Sequence, residues 1–331
     1  MRPRKASLVL LMGLACAGRG VDLQALPDAP IAFVHRNLEE SDQRAEALAR
    51  EDRQASKPGT LRLNDVSELL GLGASPAERR AAQLGHLALA DPRTGRVERI
   101  SAALPGARPL CWSGDRDRLL FVSWRRERPQ LYEYSLARRD VRALTRGPDA
   151  HPFGCYGPEG QLVVARVAVV GEGVISRLFV HEQGQRPRAL TEGPGDSKPV
   201  WSPGGSILAF ETLGPDGQSA IAVIDPDGEQ RRLLAPGRDP VFTPDGEWIV
   251  WSAPSRGRWR LWRMRADGSG KRRLGESVFD EHDPAVAPDG RYLVFVAEEP
   301  DTVAQQLMVR PLEGGGLRPL LGRDEGMSPA W

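Results

Sequence analysis

Two stretches decide how this chain folds: Lys198-Pro199-Val200-Trp201-Ser202-Pro203-Gly204-Gly205 and Asp239-Pro240-Val241-Phe242-Thr243-Pro244-Asp245-Gly246. Each runs a short extended segment into a Pro-Gly or Pro-Asp-Gly turn, and each is followed by a second apolar run, Ile207 to Phe210 and Trp248 to Trp251. Proline presets φ near −65° and glycine accepts positive φ, so text of this kind closes a hairpin between two strands. Anchored on the last residue of the first segment, the pattern recurs at Trp112, Tyr156, Trp201, Phe242, Val286 and Trp331, in steps of 44, 45, 41, 44 and 45 residues. A repeat of this length made of short strands reads as a blade arranged with others around an axis, because one such unit buries little alone and must stack on its neighbours.

Composition agrees. The 331 residues include 36 glycines and 28 prolines, falling mainly between apolar runs, which points to an all-β chain of many short strands. Lysine and arginine number 45 against 44 acidic residues. That balance gives no broad field to gather nucleic acid or an anionic membrane, so neither is expected as a partner.

The repeat around Trp201 supplies the template: strands over Pro199 to Trp201, Ser206 to Thr212, Ser219 to Asp225 and Glu229 to Leu234, with turns at Pro203-Gly204-Gly205 and Pro226-Asp227-Gly228. The same order recurs in four further copies, making five blades in sequence. A sixth is split. The chain finishes on Met327-Ser328-Pro329-Ala330-Trp331, a first strand with no blade after it, while Ile31-Ala32-Phe33-Val34 matches the second-strand text Ile207-Leu208-Ala209-Phe210. Joining the two ends, with Gly85 to Ala90 and Arg96 to Ile100 as the remaining strands, predicts a closed six-bladed β-propeller over residues 28–331 with no open sheet edge.

Residues 37–84 interrupt the split blade. Leu38 to Arg53 is rich in helix formers, and Ser75-Pro76-Ala77-Glu78 combines an N-cap, an N1 proline and a capping-box glutamate, so a small helical insertion is predicted there. It reads either as a surface decoration or as a partner-docking arm.

The N-terminus reads as a signal peptide over residues 1–17: Arg2, Arg4 and Lys5, an apolar stretch from Ala6 to Leu14, then Ala15-Cys16-Ala17. Two cleavage readings stand. Gly13-Leu14-Ala15-Cys16 resembles the lipobox of bacterial lipoproteins, which would lipidate Cys16 and tether the protein to a membrane by that anchor alone; Ala15 and Ala17 equally fit a cut that releases a soluble protein. Cys111 and Cys155 each precede the anchor aromatic of their repeat, and they read either as an inter-blade disulfide or as two separate buried thiols.

The text Pro-x-Trp-Ser-Pro-(Asp/Gly)-Gly-x-x-(Ile/Leu)-x-Phe, best seen over Pro199 to Phe210, Pro240 to Trp251 and Pro284 to Phe295, resembles the TolB-like β-propeller repeat, a WD-like repeat of bacterial envelope proteins. Endings such as Arg142-Ala143-Leu144-Thr145, Arg188-Ala189-Leu190-Thr191 and Arg231-Arg232-Leu233 carry the same resemblance. The family places an α/β domain ahead of its propeller, where this chain has only the helical insertion. The resemblance implies protein binding at the channel mouth and a periplasmic location.

Signs of catalysis are sparse. No Gly-x-Ser-x-Gly elbow occurs, and the five histidines (His35, His86, His151, His181, His282) show no zinc-ligand spacing. Asp-Gly pairs such as Asp227-Gly228 and Asp267-Gly268 are hairpin turns, lacking the ligand spacing of a calcium loop. No cofactor or metal is expected from these patterns, although spacing does not test a site assembled from separate blades.

The remaining candidates are polar residues just ahead of the first strands: Arg108, His151, Lys198, Arg238, Asp239, His282, Asp283 and Ser328. Superposed by the repeat, they converge on one channel end, where they either cap strand ends or form a recognition mouth for a peptide or protein loop, with His151 and His282 adding pH sensitivity. Trp124, Trp248, Trp251, Trp259 and Trp262 read as inter-blade core or as an exposed contact patch. The sequence thus points to an exported, monomeric, non-enzymatic scaffold that binds an envelope protein or peptide. The competing class is a metal-dependent envelope hydrolase or lactonase with its site in the channel.

Overall fold

The computed structural model describes residues 21–36, 85–101, 106–123, 128–170, 173–182, 184–298, 305–321 and 325–331. They form an all-β, six-bladed β-propeller, six antiparallel sheets of four strands each. Five blades run in order along the chain. With the closing blade counted as blade 1, blades 2 to 6 begin at Arg108, Ala150, Ser197, Arg238 and Asp280, and blade 4 is representative: Ser197–Trp201, Leu208–Leu213, Ser219–Ile224 and Arg232–Pro236 pair successively from channel to rim. The outer strands are the weakest, shrinking to two residues at Arg188–Ala189, Arg272–Arg273 and Arg318–Pro319. Their partners there are the sheet on one side and solvent on the other.

The remaining blade is closed from both ends of the chain. Glu325–Ala330 is its channel strand, hydrogen-bonded to Ile31–Arg36, which pairs in turn with His86–Ala90 and then Val97–Ser101. The register sets Ala32 against Ala330 and Val34 against Met327. Side chains reinforce the seam: the Trp331 indole donates to the carbonyl of Ala29 at 3.0 Å, and Trp112 of the next blade donates to the carbonyl of Ala330 at 3.2 Å. Residues 37–84, carrying the expected helical insertion, lie outside the described residues, as do residues 1–20 with Cys16, and Trp124.

Alternation along each strand sends side chains to both faces of its sheet, and each face packs against the next blade. The core is therefore a set of seams. Ile31, Phe33 and Val34 meet Val294, Val296 and Val309 between the last blade and the closing one. Phe153 and Val163 meet Trp201 and Phe210 between blades 3 and 4. Trp251 and Trp262 lie in the seam between blades 4 and 5. The other tryptophans of that group are half-buried beneath cations: Trp248 under Arg263 at 4.3 Å, and Trp259 under Arg238 at 4.1 Å. The group is thus divided between core and covered surface.

Candidate functional site

The channel strands surround a central cavity of about 680 Å³ lined from all six blades. The expected recognition residues do not precede these strands; they lie within them. Lys198 is the second residue of Ser197–Trp201, Asp239 the second of Arg238–Phe242, Asp283 the fourth of Asp280–Val286 and Ser328 the fourth of Glu325–Ala330. All four adopt left-handed backbone, with φ of 45°, 58°, 49° and 50°. In each blade the pairing register slips at this point, between Ser197 and Val200, Arg238 and Val241, His282 and Ala285, and between Ala32 and Val34 opposite Ser328. The following proline closes the right-handed helical region to the residue before it, and the bulge re-aims the side chain. A non-glycine residue at positive φ costs about 1 kcal/mol or more, so the repeat accepts strain four times to point these groups at the axis.

Of the eight expected residues, Arg108, Lys198, Asp239, Asp283 and Ser328 line the cavity. His151, Arg238 and His282 do not. Each lies one place earlier in its strand than the bulge turns inward, or, in blade 3, on the far side of Pro152. In that blade Phe153 takes the channel position instead, three residues before its anchor Tyr156 as Lys198 is before Trp201.

Charge is concentrated around Lys198. Its ammonium contacts the Asp239 carboxylate and lies 3.4 Å from Glu211 Oε2, with Glu211 3 % and Asp239 7 % exposed at the side chain. Burial works against this ammonium, but Asp239 and then Glu211 outweigh it and hold Lys198 above the usual lysine range. Burial pushes the Glu211 carboxyl upward, Lys198 draws it back, and Asp239 adds to the rise. Asp239 also meets Arg238 Nε at 3.4 Å, and Ser219 Oγ donates to Glu211 at 3.1 Å. Lys198 and Arg108 approach the Phe153 ring at 5.8 and 5.5 Å.

His282 forms the second cluster. Its Nδ1 lies 3.6 Å from Asp283 and its Nε2 3.4 Å from Glu298, which also accepts from Gln305 at 3.1 Å. Against the cost of burial, the hydrogen bond and charge of His282, helped by Lys198 and Arg108, hold Asp283 well below the usual carboxylate range. His151 is buried, and burial lowers it to about 4, so at neutral pH it brings no charge to the mouth. Among the described residues, no group of three or more His, Cys, Asp and Glu is placed to hold a metal ion.

Glu211 and Phe153 are the contributors that strand-position reasoning passes over. Glu211 had one signal, an acidic residue directly after the apolar run Leu208-Ala209-Phe210; it is 2 % exposed on the second strand behind Lys198. Cys111 and Cys155 are free thiols lining the same cavity from adjacent blades. The Cys111 sulfur accepts from the Tyr156 N–H at 3.2 Å, and burial together with Cys155 pushes its thiol well up.

Comparison with known proteins puts this ring in context. No protein-family model matches the chain. A solved structure of TolB from Acinetobacter baumannii superposes with a TM-score of 0.67 over 93 % of this chain and 68 % of its own, at 18 % identity. A TolB of the Tol-Pal system from Thioalkalivibrio sulfidiphilus is 36 % identical over 84 residues, covering 24 % of this chain and 19 % of that protein. The ring shares the β-propeller fold of TolB. The uncharacterized protein Atu1656 of Agrobacterium fabrum is 29 % identical over 163 residues, 45 % of this chain, and the match spans 55 % of that relative. This chain therefore spans about half of that relative's length and a fifth or less of the other curated relatives it matches. An oligogalacturonate lyase in complex with manganese shares the ring at a TM-score of 0.51, with 16 % identity over 71 % of this chain and 70 % of that one. The TolB-like propeller described here has no helix among its described residues long and apolar enough to cross a membrane.

Proposed function

We propose that this TolB-like propeller is a non-enzymatic scaffold of the bacterial cell envelope that binds a protein or peptide segment at the charged mouth of its channel. One observation carries the reading: four blades place a polar or charged residue at the same strained, inward-turned position, so Lys198, Asp239, Asp283 and Ser328 converge on one opening. Repeated strain at equivalent positions is the mark of a site whose geometry is held by its surroundings. Arg108 and Phe153 add a cation and an aromatic face to the same rim, a mixture suited to a polypeptide loop. The likeness to TolB of the Tol-Pal system supports an envelope location, the N-terminal signal text supports export, and the lipobox-like Gly13-Leu14-Ala15-Cys16 supports Cys16 as the lipid anchor.

A photo-crosslinking residue at position 108 tests this directly, with position 233 on the outer rim as control, since Leu233 is 51 % exposed. In envelope extract, a discrete adduct is expected from position 108 only, and Arg108→Glu in the pull-down counterpart should abolish its capture. Equal labelling at both positions refutes the mouth as the site. The competing reading, a metal-dependent hydrolase or lactonase, is favoured by the likeness to the manganese-bound lyase. It would be sustained by stoichiometric metal in purified protein whose removal abolishes a turnover.

A further inference from the structure

The channel's opposite end is built by the turns joining first and second strands. There the repeat places a proline and, two residues on, a glycine: Pro158 and Gly160, Pro203 and Gly205, Pro244 and Gly246, Pro288 and Gly290. The glycines have φ of 82°, 73°, 73° and 69°. Neighbouring turns interlock. A Cβ on Gly205 would meet Pro158 at 2.8 Å, one on Gly246 would meet Pro203 at 3.4 Å, and one on Gly290 would meet Pro244 at 3.6 Å.

Blade 2 breaks this pattern. Its turn reads Ser113-Gly114-Asp115-Arg116, so glycine stands in the proline's place and arginine in the glycine's, at φ 58°. No atom would come within 4 Å of a Cβ on Gly114 or on Gly160, so the interlock seen at Gly205, Gly246 and Gly290 is missing here. The strained Arg116 lines the channel cavity with its guanidinium 5.3 Å over the Trp112 ring. Its Nη2 is a buried donor with no hydrogen-bond partner. Trp201, 6 % exposed and lining the same cavity, has an indole N–H in the same condition. Two buried donors left unmade on one cavity are costly unless something fills it, and burial works against the charge of Arg116.

We propose that this turn end of the channel is a binding site for a carboxylate carried on an apolar or aromatic body, with Arg116 as the anion-binding residue and the Trp201 N–H as a second donor. A guanidinium presents parallel N–H groups that match a carboxylate, and Trp112, Tyr156 and Trp331, which line the same cavity, suit the body. The carboxylate can belong to a free small acid or to the C-terminus of a peptide. The site lies at the far end from the Lys198 cluster and stands independently of the mouth.

Titration calorimetry on the full chain tests it with two pairs of probes: benzoate against benzamide, and a phenylalanine-ended tripeptide with a free or an amidated C-terminus. At least one acid should bind, with its amide tenfold or more weaker; benzoate binding marks a small-acid site and binding of the peptide acid alone marks a peptide terminus. Arg116→Gly restores the residue the repeat uses, so it should weaken the acid tenfold or more while the melting temperature holds or rises by a few degrees. Trp201→Phe should weaken it less. Failure of both acids to bind, equal binding of acid and amide, or full binding by the Arg116→Gly variant overturns the proposal.

Discussion

Replacing Lys198 by methionine keeps the length of the side chain and removes its charge, leaving the Glu211 and Asp239 carboxylates facing each other with only Arg238 at hand. Removing one partner of a buried ion pair costs about 3–5 kcal/mol. Lys198 is 23 % exposed and Arg238 still meets Asp239 at 3.4 Å, which places the loss near the lower end, about 3 kcal/mol. For a domain of this size, with an unfolding entropy of about 0.6 kcal/mol/K, that is a fall of roughly 4–6 °C in melting temperature, read by circular dichroism at pH 7.5. A second substitution, Glu211→Gln, removes the orphaned charge, so the double variant should recover at least half of the loss. The pH dependence has a defined sign. Lys198 is raised in the folded state, so its contribution is complete below the unfolded lysine value of 10.5 and flat across neutrality. Glu211 is raised too, and without Lys198 it rises further; a raised carboxyl stabilises below its unfolded value of 4.5 and loses that contribution as pH climbs through its folded value. The deficit of the Lys198→Met variant should therefore shrink as pH falls from 8 toward 5. A variant as stable as the parent at pH 7.5, or a deficit that grows on acidification, refutes the account of the mouth as a coupled charge cluster.

His151 is lowered from 6.5 to about 4, so its neutral form contributes stability above pH 6.5 that is lost as pH falls toward 4, up to about 3 kcal/mol; His151→Gln should flatten that limb of a urea-midpoint profile. Trp331→Ala empties the closing seam and drops the bond to Ala29, costing about 3–5 kcal/mol in chemical denaturation, with a rise in oligomers by light scattering as Ile31–Arg36 loses cover. Cys111, with its thiol pushed up, should react with a disulfide reagent at pH 8 far more slowly in the folded protein than in 6 M guanidinium, where both Cys111 and Cys155 should react at the unfolded rate.

The ring was legible because its signals are local and repeated: six anchors at 41–45-residue steps, turn chemistry at each, and two termini holding complementary halves of one blade. Position within the strand was harder. Proline sits two residues before Trp201 but four before Tyr156, so reading the residue ahead of each proline selects His151 where the bulge delivers Phe153. Arg238 and His282 fall behind the channel wall for a different reason: their prolines keep the usual spacing, and each lies one residue before the Asp239 or Asp283 that the bulge turns inward. Glu211 becomes visible only when strands stack, since its partner lies on a neighbouring strand and its second partner on the next blade. Arg116 was open to view as an arginine in a glycine's place, but its unmade hydrogen bond is a property of three dimensions.

Because Glu325–Ala330 covers the channel edge of Ile31–Arg36, whose other edge pairs with His86–Ala90, the closing sheet waits for a strand from far along the chain before that edge is covered. Synthesis from the N-terminus therefore leaves that edge uncovered until Glu325–Ala330 has been made, and the ring locks in a late event of high sequence separation. Any protease that removes Glu325–Ala330 would act on the entire toroid rather than on one blade.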